Sequence, residues 1–419
     1  MLDSTDRIQT SHAGSLPRTD ALIAANAARA DSRKAVLAGG DASSAPAPAD
    51  DGLDAVLADA VDGLVARQRE VGITVPGDGE YGKAMSSAID YGAWWSYSFQ
   101  RLGGLELVPG GPFSSEPVRS SPGDVRLTTF PDRRDWTIFA DAYRDPASGI
   151  TVGDAPIEFP SATGPVSYTG HAAIRADIAH LQHALGANGY EHGQGFITSL
   201  SPGSASRIGN LHYATEEEFI WACADAMREE YVAIIDAGLV LQIDDPSIAE
   251  NWDQINPEPS VEDYLAFTRI RVEALNHALR GLPQERIRFH LCWGSWHGPH
   301  TTDIEFKHLV RTMLEIDAGA YSFEGANARH EHEWRVWEDV ELPDGKLIVP
   351  GVVGHATNVV EHPELVADRI ERYARLVGRE RVIASTDCGL GGRIHPQIAW
   401  AKLESLSQGA EIATRRLWS

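Results

Sequence analysis

The run LVLQIDDP, Leu239 to Pro246, decides how this chain is read. It is an apolar stretch too short for an ordinary helix, and it stops abruptly at two aspartates, as a buried strand does where it leaves a sheet. Before it stands ATEEEFIWACADAMREEYVAIIDAG, an amphipathic helical pattern over 215–237. Thr215 is placed as its N-cap, Glu218 completes a capping box, and Gly238 closes it. After it come a second helical pattern, 260–280, and a second apolar run, RIRFHLCWG at 286–294. Strands alternating with helices imply a parallel sheet.

The same rhythm extends in both directions. Short apolar runs ending in polar residues or glycine occur at 7–15, 72–80, 195–203, 239–246, 286–294, 320–327, 347–356 and 381–389. Helical patterns at 53–71, 172–188, 215–237, 260–280, 303–318, 361–377 and 396–414 lie between most of them. Eight such runs are the number that closes a (β/α)8 TIM barrel, and an α/β fold of this class over 1–419 as a single domain is the expectation. The alternative is a doubly wound sheet with a small β subdomain. Residues 95–170, rich in Gly, Pro and aromatics, are expected to form a hairpin-rich insertion after the second strand, and 24–52, rich in Ala, Ser, Pro and Asp, a low-complexity surface segment.

Composition narrows the function. The chain has 419 residues, 43% hydrophobic and 23% charged, and a formal net charge of −24. So acidic a surface repels phosphate backbones and anionic lipid, which argues against nucleic acid and membranes as partners. No apolar run approaches the roughly 20 residues that cross a bilayer, and the N-terminal stretch lacks the pattern of a signal peptide. A cytoplasmic enzyme of small molecules is expected, with homo-oligomerisation open. The three cysteines, Cys223, Cys292 and Cys388, do not make a disulfide framework. Cys223 falls on the apolar stripe of a helix and reads as core packing.

The strand ends carry the chemistry. In order they bear Ser11, His12 and Ser15; Asp78 and Glu80; Ser199 and Ser201; Asp244 and Asp245; His290 and Cys292; Glu324 and Asn327; His355; Asp387 and Cys388. In a parallel barrel these ends gather at one mouth, where active sites form. His290 and Cys292 are i and i+2 in a strand and face the same way. A lone His-x-Cys also describes a buried histidine beside an inert cysteine. Cys388 supplies a second thiolate from another strand end, and Glu324 a carboxylate that needs a buried partner. Two thiolates, an imidazole and a carboxylate make a set suited to Zn2+. Glu80 and Asp244 suit an ammonium group. Arg18, Arg207, Arg329 and Lys83, just beyond strand ends, suit an anionic one. Trp94, Trp95, Trp293 and Trp296 wall the pocket or stack on a flat ligand.

These motifs resemble the cobalamin-independent methionine synthase family, specifically its C-terminal catalytic barrel, and the related epoxyalkane:coenzyme M transferases. The resemblance is carried by HAGSLPR at 12–18, GDGE at 77–80, LQIDDP at 241–246, HLC at 290–292, SFEGAN at 322–327, PGVVGH at 350–355 and TDCGL at 386–390, in the family's order. It implies a zinc-dependent (β/α)8 barrel with His290, Cys292, Glu324 and Cys388 as metal ligands. It also matches Ala13 to Ser15, Glu80 and Asp244 to positions that hold an amino-acid thiol. His12, Ser15, Arg18, Glu80, Asp244 and Asp245 are thus the candidate substrate-binding residues. The chain departs from the pattern where Asp245 replaces the usual Glu and where Gly354 occupies the place of an Asp. It also has no counterpart of the family's extra N-terminal barrel.

The implied activity is that of a zinc-dependent thiol methyl- or alkyltransferase. A thiol with a free pKa near about 8.5 gives up its proton at the metal and attacks an electrophilic carbon. The acceptor is homocysteine or a similar thiol. The alternatives are thiolate opening of an epoxide by coenzyme M, a metal-dependent hydrolase or lyase on a barrel, and a structural zinc site. Two cysteine ligands argue against the hydrolase, and a mouth lined with further ionisable groups argues against a purely structural site. The acid that protonates the leaving group is sought among His355, His297 and Asp387.

Overall fold

A computed structural model describes residues 4–27, 52–83, 97, 100–109, 116–150 and 158–419. Most of the stretch 24–52, together with Trp94 and Trp95, lies outside them. Ten strands are assigned among the described residues: β1 (Gln9–Thr10), β2 (Leu102–Pro109), β3 (Glu158–Tyr168), β4 (Phe196–Leu200), β5 (Gly209–Asn210), β6 (Val240–Asp245), β7 (Ile287–Leu291), β8 (Ala320–Phe323), β9 (Leu347–Val353) and β10 (Ile383–Thr386). Seven of them form one parallel sheet in the order β1-β10-β9-β8-β7-β6-β4. The expected run at 72–80 is not a strand of that sheet, but it bonds to both of its edges. The amides of Thr74 and Val75 donate to the Thr10 carbonyl at 3.1 and 2.9 Å, Phe196 N donates to the Pro76 carbonyl at 3.0 Å, and Gly77 forms a parallel bridge with Phe196.

The longer helices are α1 (Leu53–Glu70), α2 (His171–Ala187), α3 (Glu216–Asp236), α4 (Val261–Leu279), α5 (Phe306–Leu314), α6 (Pro363–Val377) and α7 (Pro396–Leu417). Helix α3 starts as its sequence predicts: the Thr215 side chain accepts from Glu218 N at 3.1 Å. The Glu218 carboxylate reaches back to the amide of Ala214 rather than to that of Thr215. One face of α3, with Phe219, Cys223, Met227, Tyr231 and Ile234, is buried in the main core. None of the helices in the described residues is long and apolar enough to cross a membrane.

Strands β2 and β3 pair antiparallel, and β5 joins β3 as the third strand of a small sheet. Between β2 and β3, the described residues hold short helical turns, Arg134–Ile138 and Ala140–Arg144, which dock on the loop after β7.

The interior of the main sheet holds a buried cation. Arg288 on β7 is 1% exposed and lies over the Phe196 ring, with its carbon Cζ 3.5 Å from the centroid. Its nitrogens donate to Gln242 Oε1 at 2.5 Å, Ser11 Oγ at 2.8 Å and the His12 carbonyl at 2.6 Å. Burial lowers its pKa to about 9, against the attraction of Asp244. Arg288→Met strips three buried groups of their donor, and we expect it to destabilise the protein by about 3 kcal/mol. Urea denaturation measures this: the midpoint should fall with an unchanged slope, and an unmoved midpoint would show that these bonds contribute nothing net.

Candidate metal centre

Because all strands of the main sheet are parallel, the residues at their C-terminal ends meet along one edge. On β6 and β7, Gln242 pairs with Arg288 and Asp244 with His290, and His290 pairs in turn with Ser322 on β8. Period-2 alternation then stacks side chains of the same face in layers. Arg288 and His290 rise along β7 with Cys292 just past its end, and Ser322 lies on β8 with Glu324 just past its end.

The upper layer brings three predicted ligands together. One ligand atom each of His290, Cys292 and Cys388 lies within 4.8 Å of the others. The two sulfurs are 3.8 Å apart. Thiolates on adjacent corners of a tetrahedron with Zn–S bonds near about 2.3 Å would be separated by about 3.8 Å. Ser322 Oγ lies 3.0 Å from Nδ1 of His290 and fixes the ring, while the buried Nε2 makes no hydrogen bond. A metal ion would complete that nitrogen. The Cys388 thiol is pulled well below its ordinary range by the Cys292 thiol, against burial and with help from His290.

Glu324 stands in a neighbouring cluster with His355 and Asp387, whose ligand atoms also lie within 4.8 Å of one another. Its carboxylate is held by Trp293 N at 3.2 Å and Asn327 Nδ2 at 2.5 Å. Burial, with the nearby Asp387 and Cys388 charges, pushes its pKa up to about 8. Burial also raises Asp387 to about 6 and Asp244 to about 7. Crowded carboxylates that resist ionisation beside two thiols are what a site built for a cation shows without its charge.

The acid candidates differ in their surroundings. Asp387 Oδ1 accepts from the amides of Gly325 and Ala326 at 2.7 and 2.8 Å, so it shapes the turn behind Glu324, and its Oδ2 is buried without a partner. His355 is buried with Nδ1 unpartnered, and burial lowers its pKa to about 4. His297 is half-buried, and its Nε2 lies 3.3 Å from the His355 carbonyl.

Among the substrate-binding candidates, Glu80 and Asp244 are buried at the mouth. Glu80 adopts φ 61°, a left-handed conformation unusual outside glycine, and its Oε1 lies 3.1 Å from Thr198 Oγ1 and 3.7 Å from Lys83 Nζ. Gly14 makes room for it: a Cβ there would fall 2.4 Å from Glu80 Oε1. Asp244 Oδ1 accepts from Gln242 Nε2 at 2.5 Å. Ser15 is half-buried beside the loop after β10, its Oγ 3.3 Å from the Gly391 carbonyl.

The other three are engaged within the protein. His12 bonds Gln68 Oε1 through Nε2 at 2.9 Å and accepts from Gly14 N at 3.3 Å. Arg18 donates to the carbonyls of Leu16, Glu80 and Lys83. Asp245, facing away from Asp244, caps the short helix Pro246–Ala249 through Ser247 N at 2.9 Å. Arg207 is paired with Glu250, and Arg329 is bonded to the Thr301 carbonyl.

Two groups escaped the sequence reading. Arg133, from the segment between β2 and β3, binds Glu250 and Asp253 at 2.6 and 2.7 Å and lies 4.3 Å over the Trp296 ring. Behind Glu324 runs a buried chain: His300 Nδ1 to Asp303 Oδ2 at 3.0 Å, Asp303 Oδ2 to His330 Nε2 at 3.1 Å, and His330 Nδ1 to Glu333 Oε2 at 2.7 Å. His300 with Asp303 and His330 with Glu333 are i,i+3 pairs, but the link that makes them one chain, Asp303 to His330, joins separate loops and leaves no signal in the spacing.

Asp303 holds both rings charged. Burial opposes the His300 and His330 cations, yet their carboxylate partners raise them to about 9 and about 10, and the two imidazolium neighbours lower Asp303 to about 2 against its burial. Raised histidines stabilise the fold fully below their ordinary value of 6.5, and that contribution is lost as pH climbs through 9 to 10. The depressed Asp303 contributes above 3.8 and loses its effect toward 2. Asp303→Asn should therefore cost about 3 kcal/mol at pH near 6, and less by pH near 10. Denaturation of both proteins across that range tests it, and a difference that is flat or grows with pH would contradict the assignment.

A family profile described as "Cobalamin-independent synthase, Catalytic domain" matches residues 204–411. The chain is 25% identical to a 2-hydroxypropyl-CoM lyase of Xanthobacter autotrophicus, over 50% of this chain and 58% of that protein. It is 25% identical to a methionine synthase of Thermococcus kodakarensis, over 50% of this chain and 54% of that one. It thus spans little more than half the length of these curated relatives. In fold it is similar to a B12-independent methionine synthase of a Shewanella species, with a TM-score of 0.66, 19% identity, and 98% and 99% of the two chains covered. The matched residues 204–411 bear β6 to β10 and the predicted ligands His290, Cys292, Glu324 and Cys388, and over them this chain is similar to the catalytic domain of the cobalamin-independent synthases.

Proposed function

We propose that this protein is a zinc-dependent thiol alkyltransferase, most simply one that moves a methyl group to homocysteine or a similar thiol. The observation that carries this reading is the pair of sulfurs 3.8 Å apart beside a buried, unpartnered histidine nitrogen. His290, Cys292 and Cys388 would hold the metal, with Glu324 turning to it from its present hydrogen bonds. The metal, when bound, supplies a positive charge that favours the thiolate form of an incoming thiol. We read the parallel sheet and the segment 73–77 together as a closed (β/α)8 barrel forming a single domain, with 95–170 as an insertion on it.

The residues of the chain do the rest. Glu80 and Asp244 bind the ammonium of an amino-acid thiol. The S–H bond gives up its proton, sulfur forms a bond to the alkyl carbon, and the carbon's bond to its leaving nitrogen or oxygen breaks. His355 is the best placed of the three acid candidates to move a proton to the leaving atom, because its ring lies in the Glu324–Asp387 cluster with one nitrogen unengaged. Asp387 acts by holding the Glu324 turn, and His297 by packing against His355. Epoxide opening by a sulfonated thiol is the second reading. The similarity to a 2-hydroxypropyl-CoM lyase favours it.

Metal analysis tests the centre. Cys292→Ala and Cys388→Ala should each lower zinc affinity by at least about tenfold, since each removes a primary ligand. Zinc-edge X-ray absorption of the unaltered protein should show two sulfurs, and a third when homocysteine or coenzyme M is added. Full zinc content in both variants, or a shell that neither thiol alters, would sink the proposal.

A further inference from the structure

The loop after β9, 354–361, carries His355 and shows its apolar residues to solvent: Val359 is 70% exposed and Val360 39%. Apolar burial therefore does not hold the tip of this loop, and polar bonds must. An ion pair supplies them. Glu361 ends the loop and reaches back across it, its Oε1 accepting from the Gly354 amide at 2.8 Å. Its Oε2 accepts from Lys402 Nζ at 2.9 Å. Lys402 stands on α7 and also donates to the Val359 carbonyl at 2.6 Å, and Ser405, three residues on, donates to the Glu361 carbonyl. The Lys402 side chain is 0% exposed and that of Glu361 8%. A pair so buried adds little net stability over apolar groups of the same volume, because both charges lose their water. What it does supply is a fixed geometry.

That geometry bears on His355. The backbone is pinned one residue before the ring, at the Gly354 amide, and at the ring's own carbonyl, which lies 3.3 Å from His297 Nε2. The same stretch lies against Asp387: a Cβ on Gly354 would fall 3.4 Å from Asp387 Oδ2 and 3.6 Å from Glu361 Oε1. The ring itself is buried in the cluster with Glu324 and Asp387, so a small turn of the backbone would shift it relative to both.

We propose that Glu361, pinned by Lys402, is a positioning residue that sets the His355 ring for proton transfer to the leaving atom. The inference rests on the thiol-transfer reading above. Glu361 acts through the backbone rather than on the reacting atoms, and its contribution is felt only where a proton is needed. With epoxypropane, sulfur bonds to a ring carbon, the C–O bond breaks with its electron pair on oxygen, and that oxygen takes the proton from His355. With 5-methyltetrahydrofolate, nitrogen takes the pair and the proton. With iodomethane, the C–I bond breaks and iodide leaves with the pair, unprotonated.

The test is alkylation of homocysteine and of coenzyme M by the full chain loaded with Zn2+, with these three donors. Glu361→Ala should lower kcat about 10- to 100-fold with whichever of the first two the unaltered protein uses, as misplacing a general acid does. KM for the thiol and the rate with iodomethane should stay within about twofold. Glu361→Gln, which keeps an acceptor for the Gly354 amide, should recover part of the loss. Added to His355→Ala, Glu361→Ala should cost nothing more, since no ring is left to place. Where the lone Lys402 charge prevents folding, Glu361→Ala combined with Lys402→Met removes both charges and carries the same expectation. An equal loss with iodomethane, full additivity with His355→Ala, or unchanged rates throughout would overturn the role of Glu361. An unaltered protein that uses iodomethane but neither other donor would remove the acid step, and this inference with it. One that alkylates neither thiol with any donor would remove the thiol-transfer reading itself.

Discussion

The structure depends on a cation buried in its sheet. Arg288 sits among groups that carry no full negative charge at hydrogen-bond distance, and is satisfied by an amide oxygen, a hydroxyl and a main-chain carbonyl. A guanidinium so placed is tolerated only if every donor direction has a partner, because an unmet buried charge is costly. Those partners come from β6 and from the two residues that follow β1, so the one side chain fixes the distance of both strands from β7. It also fills the level beneath the site. His290 and Cys292 stand above it on the same strand face, and Gln242, which accepts from it, stands beneath Asp244 on β6.

The chemistry is built on that floor by alternation. Because the strands are parallel and in register, each adds a polar residue to the same level: Asp244 beside His290, and His290 beside Ser322. The level above receives Cys292, Glu324 and Cys388. The result is two adjoining clusters, one of sulfur and nitrogen and one of carboxylates with His355, sharing a wall of buried charge. Burial raises the carboxylates toward neutrality, and the contact between the two thiols separates them in acidity. Outside this centre, Arg133 and Trp296 tie the segment between β2 and β3 to the loop after β7, so that segment forms part of the wall of the mouth.

Much of this was legible in the residues. The alternation of apolar runs and helical patterns located the parallel strands, since burial on both faces leaves a continuous apolar run that ends where the sheet ends. His290 and Cys292 could be assigned to one face because i and i+2 in a strand must share it. Thr215 announced its helix, since a hydroxyl at that place satisfies an otherwise orphaned amide. The run 72–80 reads as a strand in the sequence. Its pairing is sparse because Pro76 lacks an amide donor and so cannot extend a ladder.

What the sequence by itself determined is therefore local and periodic: which stretches are buried strands, which residues end them, and which of these carry sulfur, imidazole or carboxylate. Only the tertiary structure decided which of those ends meet. It placed Cys388 beside Cys292 and paired Glu324 with Trp293 and Asn327. It turned His12, Arg18 and Asp245 to structural bonds, and it brought Glu361 to the Gly354 amide. The physical reason is that a side chain's neighbours across a sheet are set by strand order, register and loop path. These are properties of the whole packed chain, whereas hydrophobic period and capping chemistry are already complete within a few consecutive residues.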